Sequence, residues 1–382
     1  MTSRKKIIRS STVPQSLETF CKGILKELSE QYEVIALSSP GEALDIIEKR
    51  EGVRTIAVPM ERHISILKDL KSLFALIRVF RNERPDMVHS ITPKAGLLCM
   101  MAAWWTRVPV RIHTFTGLVF PTSRGFIKRV LMLTDKLTCA CATHIIPEGE
   151  GVKKDLIDNK ITRKPLQVLG YGNIRGVDMD YYSRTHEVEE KAAVLRDSSR
   201  FTFLFVGRIV RDKGINELVA AFQRLAVENP YVRLFLVGAY EENLDPVDSL
   251  TVEAIKKESR IVSVGRKSGT DLLAYYAASD CFVFPSYREG FPNTVLEAGA
   301  MGLPSIVTDI NGSREIIEDG FNGRVVTPRD TDALYEAMKW MIENPEKRKS
   351  MASVSRGHIQ MHYEQGYVRR CLHEYYRLLL LN

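Results

Sequence analysis

A chain of 382 residues, 45% hydrophobic and 26% charged, is long enough for two domains and too apolar to be disordered. Its net charge of +7 is unevenly spread: residues 1–175 carry 28 Lys/Arg against 17 Asp/Glu, leaving 26 against 30 of the totals of 54 and 47 for the remainder. Six cysteines show no paired metal-type spacing and suit reduced thiols in a cytosolic protein, Cys139 and Cys141 being expected to pack in an apolar helix; no run approaches the ~20 apolar residues of a membrane span, and the apolar part of the opening MTSRKKIIRSST is too short for the core of a secretory leader.

Short β-branched or apolar runs at 6–10, 33–38, 54–58, 87–91, 110–115 and 144–147 predict strands. Helical patterns at 17–30, 64–81, 94–105, 125–141 and 151–159 lie between them. The charged stretch 182–200 breaks this rhythm and reads as a junction. A second series follows, with strands at 201–206, 232–237, 261–264, 281–285, 305–308 and 324–326 and helices at 214–227, 271–278, 294–301, 313–317 and 332–342, closed by a helix over 364–380. Alternation of this kind predicts an α/β fold of two doubly wound, Rossmann-like parallel-sheet domains facing across a cleft. The boundaries expected are 1–180 and 195–358, with a terminal helix at about 360–382 packing back on the first domain.

Three segments place polar groups where such strands end. In the first, Val206-Gly207-Arg208 closes a strand, and Asp212-Lys213-Gly214 opens the next helix. Two cations beside free helix amides suit a diphosphate. In the second, a buried strand ends at Pro285, a loop carries Glu289-Gly290, and a helix starts at Asn293 or Thr294 with Glu297 in about its first turn. Backbone amides there make an anion seat, while ionised carboxylates can only accept and so suit sugar hydroxyls. The third, Asp309-Ile310-Asn311-Gly312-Ser313-Arg314-Glu315, repeats the strand–turn–helix pattern, with Asp309 and Glu315 reading more simply as helix caps.

These motifs, together with Ile316-Ile317, Gly320, Gly323 and Pro328, resemble family 4 retaining glycosyltransferases of the GT-B fold, of the kind that build bacterial capsular polysaccharides and lipid-linked oligosaccharides. The match runs through nearly the whole C-terminal half in order. The resemblance implies that Arg208 and Lys213 hold the donor diphosphate, that Glu289 contacts the donor sugar, and that the backbone of Phe291, Pro292, Asn293 and Thr294 lies close to sugar and phosphate. It further implies that Glu297 holds the ribose, that Gly265 and Arg266 line the base, and that His113 reaches the transferred sugar. It departs from the family after the first strand, where Ser10–Ser16 carries no paired glycines.

No acidic cluster has metal-ligand spacing, so a metal-independent donor site without a cofactor is expected, the nucleotide sugar being substrate. His358 and His362 share a helix face but lack a third ligand. By resemblance the donor is UDP-linked galactose or an N-acetylhexosamine, and the acceptor a polyprenyl-diphosphate-linked glycan. The basic, apolar stretches 62–84 and 120–133, with Trp104 and Trp105, suit docking on an anionic bilayer, hence a cytoplasmic protein peripheral to the inner membrane. No nucleic-acid reader motif is present, and the first strand lacks G-x-G-x-x-G, which counts against hydride transfer. A nucleotide-sugar epimerase on the same plan is the alternative.

Overall fold

The computed structural model describes residues 4–61, 65–241 and 245–380. Contacts divide the chain into two compact units. Unit 1 comprises residues 1–176 and 366–382, and unit 2 is the continuous stretch 177–365.

Unit 1 holds six parallel strands, β1 (Lys6–Ser10), β2 (Glu33–Ser38), β3 (Arg54–Ala57), β4 (Met87–Ile91), β5 (Val110–Phe115) and β6 (His144–Pro147), in the order β3-β2-β1-β4-β5-β6. Unit 2 holds β7 (Phe201–Val206), β8 (Val232–Val237), β9 (Ile261–Gly265), β10 (Cys281–Phe284), β11 (Ser305–Thr308) and β12 (Gly323–Val326), in the order β12-β11-β10-β7-β8-β9. The two orders are the same winding. Each sheet starts at its centre, grows to one edge, then returns to the other side of the first strand. The inner strands are wholly apolar or nearly so, as burial on both faces requires: β7, β8 and β10 read FTFLFV, VRLFLV and CFVF.

The sheet of unit 1 separates two cores. Ile8, Ile35, Val88 and Ile145 face the helices Ile66–Glu83, Pro93–Trp105 and Gly125–Cys141. Ile7, Ala36, Met87 and Ile112 face the other side, where Leu372, Tyr375 and Tyr376 of the helix Gln365–Leu380 complete the packing. Unit 2 has one continuous core that includes Phe203, Phe222, Phe282 and Met338.

Several local expectations change. The helix expected over 17–30 is two, Pro14–Cys21 and Ile24–Ser29. The buried Glu51 carboxylate accepts from the Gly23 and Lys26 amides (2.9 and 3.2 Å), capping the second helix where one continuous helix would hide those donors. The stretch read as a junction contains the helix His186–Leu195, whose Thr185 cap accepts from the Val188 amide and whose Val188 and Ala192 are buried in unit 2. Helices Glu42–Glu51, Ser249–Lys257 and Pro345–Tyr363 were not anticipated. Cys139 and Cys141 are buried, and burial pushes the Cys139 thiol up to about 12, so neither is poised for redox chemistry.

Candidate functional site

In unit 2 the carboxyl ends of β11, β10 and β7 lie side by side, and each leads through a tight turn into a helix. The β10–β7 boundary is where the winding reverses, the usual place for a ligand in an open parallel sheet. The three turns are nested. Gly214, at φ 71°, leads into the helix Ile215–Glu228, and a Cβ there would lie 2.0 Å from the Pro285 carbonyl oxygen. Gly312, at φ 72°, leads into Ser313–Ile316, and its Cβ would lie 2.5 Å from the Gly290 carbonyl oxygen. Only glycine satisfies both the backbone and the space at these positions. Hydrogen bonds reinforce the nesting: the Asp212 carbonyl accepts from the Tyr287 amide (2.8 Å) and the Ser286 hydroxyl (3.1 Å), and the Thr308 hydroxyl donates to the Ser286 carbonyl.

Within this nest Lys213 and Glu289 form an ion pair, their side chains only 13% and 17% exposed. The Ser286 hydroxyl donates to the same Glu289 oxygen at 2.9 Å, and the Lys213 ammonium lies 5.4 Å from the Phe284 ring centroid. A carboxylate therefore neutralises the cation that the sequence assigns to phosphate. A ligand with both phosphate and hydroxyls can divide such a pair, taking the ammonium with one group and the carboxylate with the other. Arg208 stands apart from this pair. It is half exposed and bonds Glu241 at 2.8 Å.

Phe291 and Pro292 are buried where their loop meets the Gly312 turn; Asn293 and Thr294, half-buried, open the helix Asn293–Ala300, whose amides emerge at the nest. Glu297 is 6% exposed one turn into that helix, and the Tyr276 hydroxyl donates to it at 3.3 Å. Gly265 ends the edge strand β9, its carbonyl accepting from the Gly238 amide (3.0 Å), with Arg266 exposed beyond it. These two residues therefore lie two strands from β7, on the side away from β10. A cavity of about 620 Å³ follows this flank, between Tyr240 and Glu241 on one side and Val262 and Ser263 on the other. It is separate from the Lys213–Glu289 nest.

His113 belongs to unit 1. It is 1% exposed on β5, with its Nδ1 2.9 Å from the Ser90 hydroxyl and its ring against Gly96, where a Cβ would lie 2.3 Å away. Burial lowers its pKa to about 3, so the ring is neutral at physiological pH. The loop after β1, where the family's glycines are missing, is tied down instead by hydroxyls. The Thr12 hydroxyl accepts from the Ala95 amide (3.1 Å), satisfying a donor at the start of Pro93–Trp105.

Sequence reasoning missed three participants. Ser286 sits inside the motif containing Glu289, and its hydroxyl was the available signal. Tyr287, whose hydroxyl donates to Glu217 at 2.7 Å, fastens the loop to the helix Ile215–Glu228. Tyr363, 3% exposed, packs on Phe291 (ring centroids 5.5 Å apart) and donates to the Glu315 carbonyl at 2.9 Å, standing behind two of the three turns. No local pattern marks it.

In unit 1 the helices Ile66–Glu83, Pro93–Trp105 and Gly125–Cys141 pack side by side. Ile66, Leu70 and Phe74 share one helix face and are 74%, 46% and 68% exposed; Trp104, Trp105, Phe126, Ile127 and Leu133 are also exposed. Exposed Lys71, Arg78, Arg124 and Arg129 are interleaved with them. Residues 62–64 of the expected basic stretch lie outside the described residues. Among the described residues no helix is long and apolar enough to cross a membrane, and no group of three or more potential metal ligands occurs, the His358–His362 pair included.

Two family models match, one described as "Glycosyl transferase 4-like domain" over residues 17–172 and the other as "Glycosyl transferases group 1" over 187–358. The chain is 30% identical over 378 residues to a capsular polysaccharide biosynthesis glycosyltransferase, CapM, of Staphylococcus aureus, covering 98% of each. It is 28% identical to an Escherichia coli UDP-Gal:alpha-D-GlcNAc-diphosphoundecaprenol alpha-1,3-galactosyltransferase, covering 81% of this chain and 80% of that one. Among solved structures, Anabaena HepE in complex with UDP superposes with a TM-score of 0.80 at 18% identity, covering 97% of this chain and 99% of HepE, a likeness in fold.

Proposed function

Since the chain belongs to the family 4 glycosyltransferases, we propose that it moves a galactosyl or N-acetylhexosaminyl group from a UDP-linked donor to a polyprenyl-diphosphate-linked glycan, with retention and without a metal, in the assembly of a surface polysaccharide such as a capsule. The observation that carries this reading is the nest of three turns holding Lys213, Glu289 and Ser286 at the β10–β7 boundary.

The C1–O bond to the β-phosphate breaks, and C1 bonds to an acceptor hydroxyl oxygen. The hydroxyl proton leaves with the departing diphosphate. Lys213, Arg208 and the amides opening Asn293–Ala300 stabilise the charge that develops on that diphosphate. Glu289 orients the sugar through its hydroxyls, Glu297 the ribose, and Gly265 with Arg266 lines the base. Retention is supported by the E. coli relative, named for forming an alpha-1,3 linkage from UDP-Gal, since a donor linked alpha to its diphosphate then keeps its configuration. The acceptor class rests on that relative as well.

The apolar, basic helical face of unit 1 supplies the site of peripheral attachment to an anionic cytoplasmic leaflet. Exposed Phe126 and Ile127 insert, while Arg124 and Arg129 meet the headgroups.

The test is a panel of UDP-, GDP- and ADP-sugars with a synthetic polyprenyl-diphosphate glycan in chelator, with the product anomer assigned by NMR. Transfer only from a UDP-sugar, insensitive to chelator and giving an alpha product, supports the proposal. An inverted product or a metal requirement defeats the corresponding part. An altered UDP-sugar released without acceptor would favour the epimerase reading.

A further inference from the structure

Arg9 lies on β1 in register with His89 on β4 and faces the side of the sheet covered by the helix Gln365–Leu380. It is 2% exposed. Its guanidinium reaches His89 Nδ1 at 2.7 Å, the Tyr376 hydroxyl at 2.5 Å and the Cys21 sulfur at 3.3 Å. Among the described residues none of its partners is a carboxylate, and its buried Nε has no partner. A guanidinium remains protonated in a protein, so unit 1 encloses a full positive charge. Enclosing such a charge without a counter-charge is strongly unfavourable.

Tyr376 and His89 do not supply that counter-charge. Burial pushes the Tyr376 phenol up to about 12 and, together with the Arg9 charge, holds His89 well below its ordinary value, so both are neutral near pH 7. The hydrogen-bond directions sharpen the problem. Arg9 can only donate, so His89 Nδ1 accepts and the ring proton sits on Nε2. That proton is donated to Thr114 Oγ1 at 2.7 Å. The Thr114 hydroxyl proton must then point elsewhere, and among the described residues no acceptor for it is found. A cavity of about 20 Å³ touches Arg9, Thr114 and Asn173 beneath Val368 and Leu372. It has room for one small occupant. Its walls bring a cation and a hydroxyl donor, and no acidic side chain.

We propose that this cavity binds a small monovalent anion, chloride in the cell, held by Arg9 and Thr114. Water would fill the space and leave the charge uncompensated. The anion completes the electrostatics of the core and links β1 and β5 to the helix that closes unit 1.

The full-length protein is melted in chloride against gluconate at constant ionic strength, and crystals grown in bromide are examined for anomalous scattering. A melting temperature that rises about 3–5 °C per tenfold increase in chloride above the dissociation constant is expected. One bromide peak beside Arg9 and Thr114 is expected with it. Arg9→Gln removes the halide dependence. Should that variant fail to fold, Thr114→Val keeps the cation and weakens halide binding about tenfold. A water in the bromide crystals, or melting indifferent to halide, overturns the proposal. So does an empty site combined with selective destabilisation by Cys21→Ser, which would put the counter-charge on sulfur.

Discussion

Lys213 and Glu289 neutralise each other, and this makes their two proposed roles separable. Lys213→Met leaves the Glu289 carboxylate, 17% exposed, without its cation. That costs about 1–2 kcal/mol, or about 2–8 °C in Tm for a unit of this size. It also removes a charge-assisted contact to the proposed diphosphate, worth about 1.5–3 kcal/mol, so UDP alone binds about 10–100-fold more weakly. Loss of charge stabilisation in the transition state lowers kcat/KM by about 10²–10³-fold. Glu289→Gln behaves oppositely toward UDP. It removes the carboxylate that competes with phosphate for Lys213, so UDP binds as well as before or more tightly. Transfer from the complete nucleotide sugar nevertheless falls by about 10²-fold, because the amide is a poorer acceptor for sugar hydroxyls. Calorimetry with UDP and initial rates with the nucleotide sugar, on variants shown to be folded, read the two effects separately. If Glu289→Gln weakens UDP as much as Lys213→Met does, the carboxylate is no competitor. If both folded variants transfer at the wild-type rate, the site lies elsewhere.

Tyr363→Phe removes the bond to the Glu315 carbonyl while keeping the contact with Phe291, and should raise the donor KM a few-fold at unchanged kcat, corresponding to about 1 kcal/mol. Tyr363→Ala opens a cavity behind both turns and should cost about 3–5 kcal/mol of stability, read by urea unfolding. His113 is buried neutral with its pKa lowered from 6.5 to about 3, so the unfolded chain binds the extra proton between those values. The stability this group contributes is fully present above pH 6.5 and is lost as the pH falls, on the order of 2 kcal/mol by pH 5; His113→Gln should flatten that part of the stability–pH curve. Replacing Arg124, Lys128 and Arg129 with Gln should weaken binding to anionic liposomes by about 10²-fold, at about 1 kcal/mol per charge, and leave binding to neutral liposomes unchanged in a flotation assay.

The strands were legible because inner parallel strands must be apolar throughout, and runs such as FTFLFV and CFVF have no other ready explanation. The turn glycines were legible for a related reason, since Gly214 and Gly312 each mark a strand end followed by a helical pattern. Pairing was harder to read. That Lys213 would meet Glu289, 76 residues away, follows only once β10 is known to lie beside β7. Arg208 looked equivalent to Lys213 in its loop, yet it turns to Glu241, which belongs to no motif. The support from Tyr363 was invisible for the same reason. The split of 17–30 turned on Glu51, a capping group remote in sequence, and helix Glu42–Glu51 was obscured by its charge-rich exposed face.

The return of residues 366–382 to unit 1 orders events during synthesis. The first sheet leaves the ribosome early but lacks Leu372, Tyr375 and Tyr376, so one of its faces is uncovered and Arg9 lacks its phenol partner. Unit 2, a single unbroken stretch, is translated in the meantime. At 5–20 residues per second the nascent first sheet waits roughly 10–40 s for its closing helix. During that interval it presents apolar surface to chaperones, and a nonsense codon late in the gene would leave it permanently unfinished while sparing unit 2.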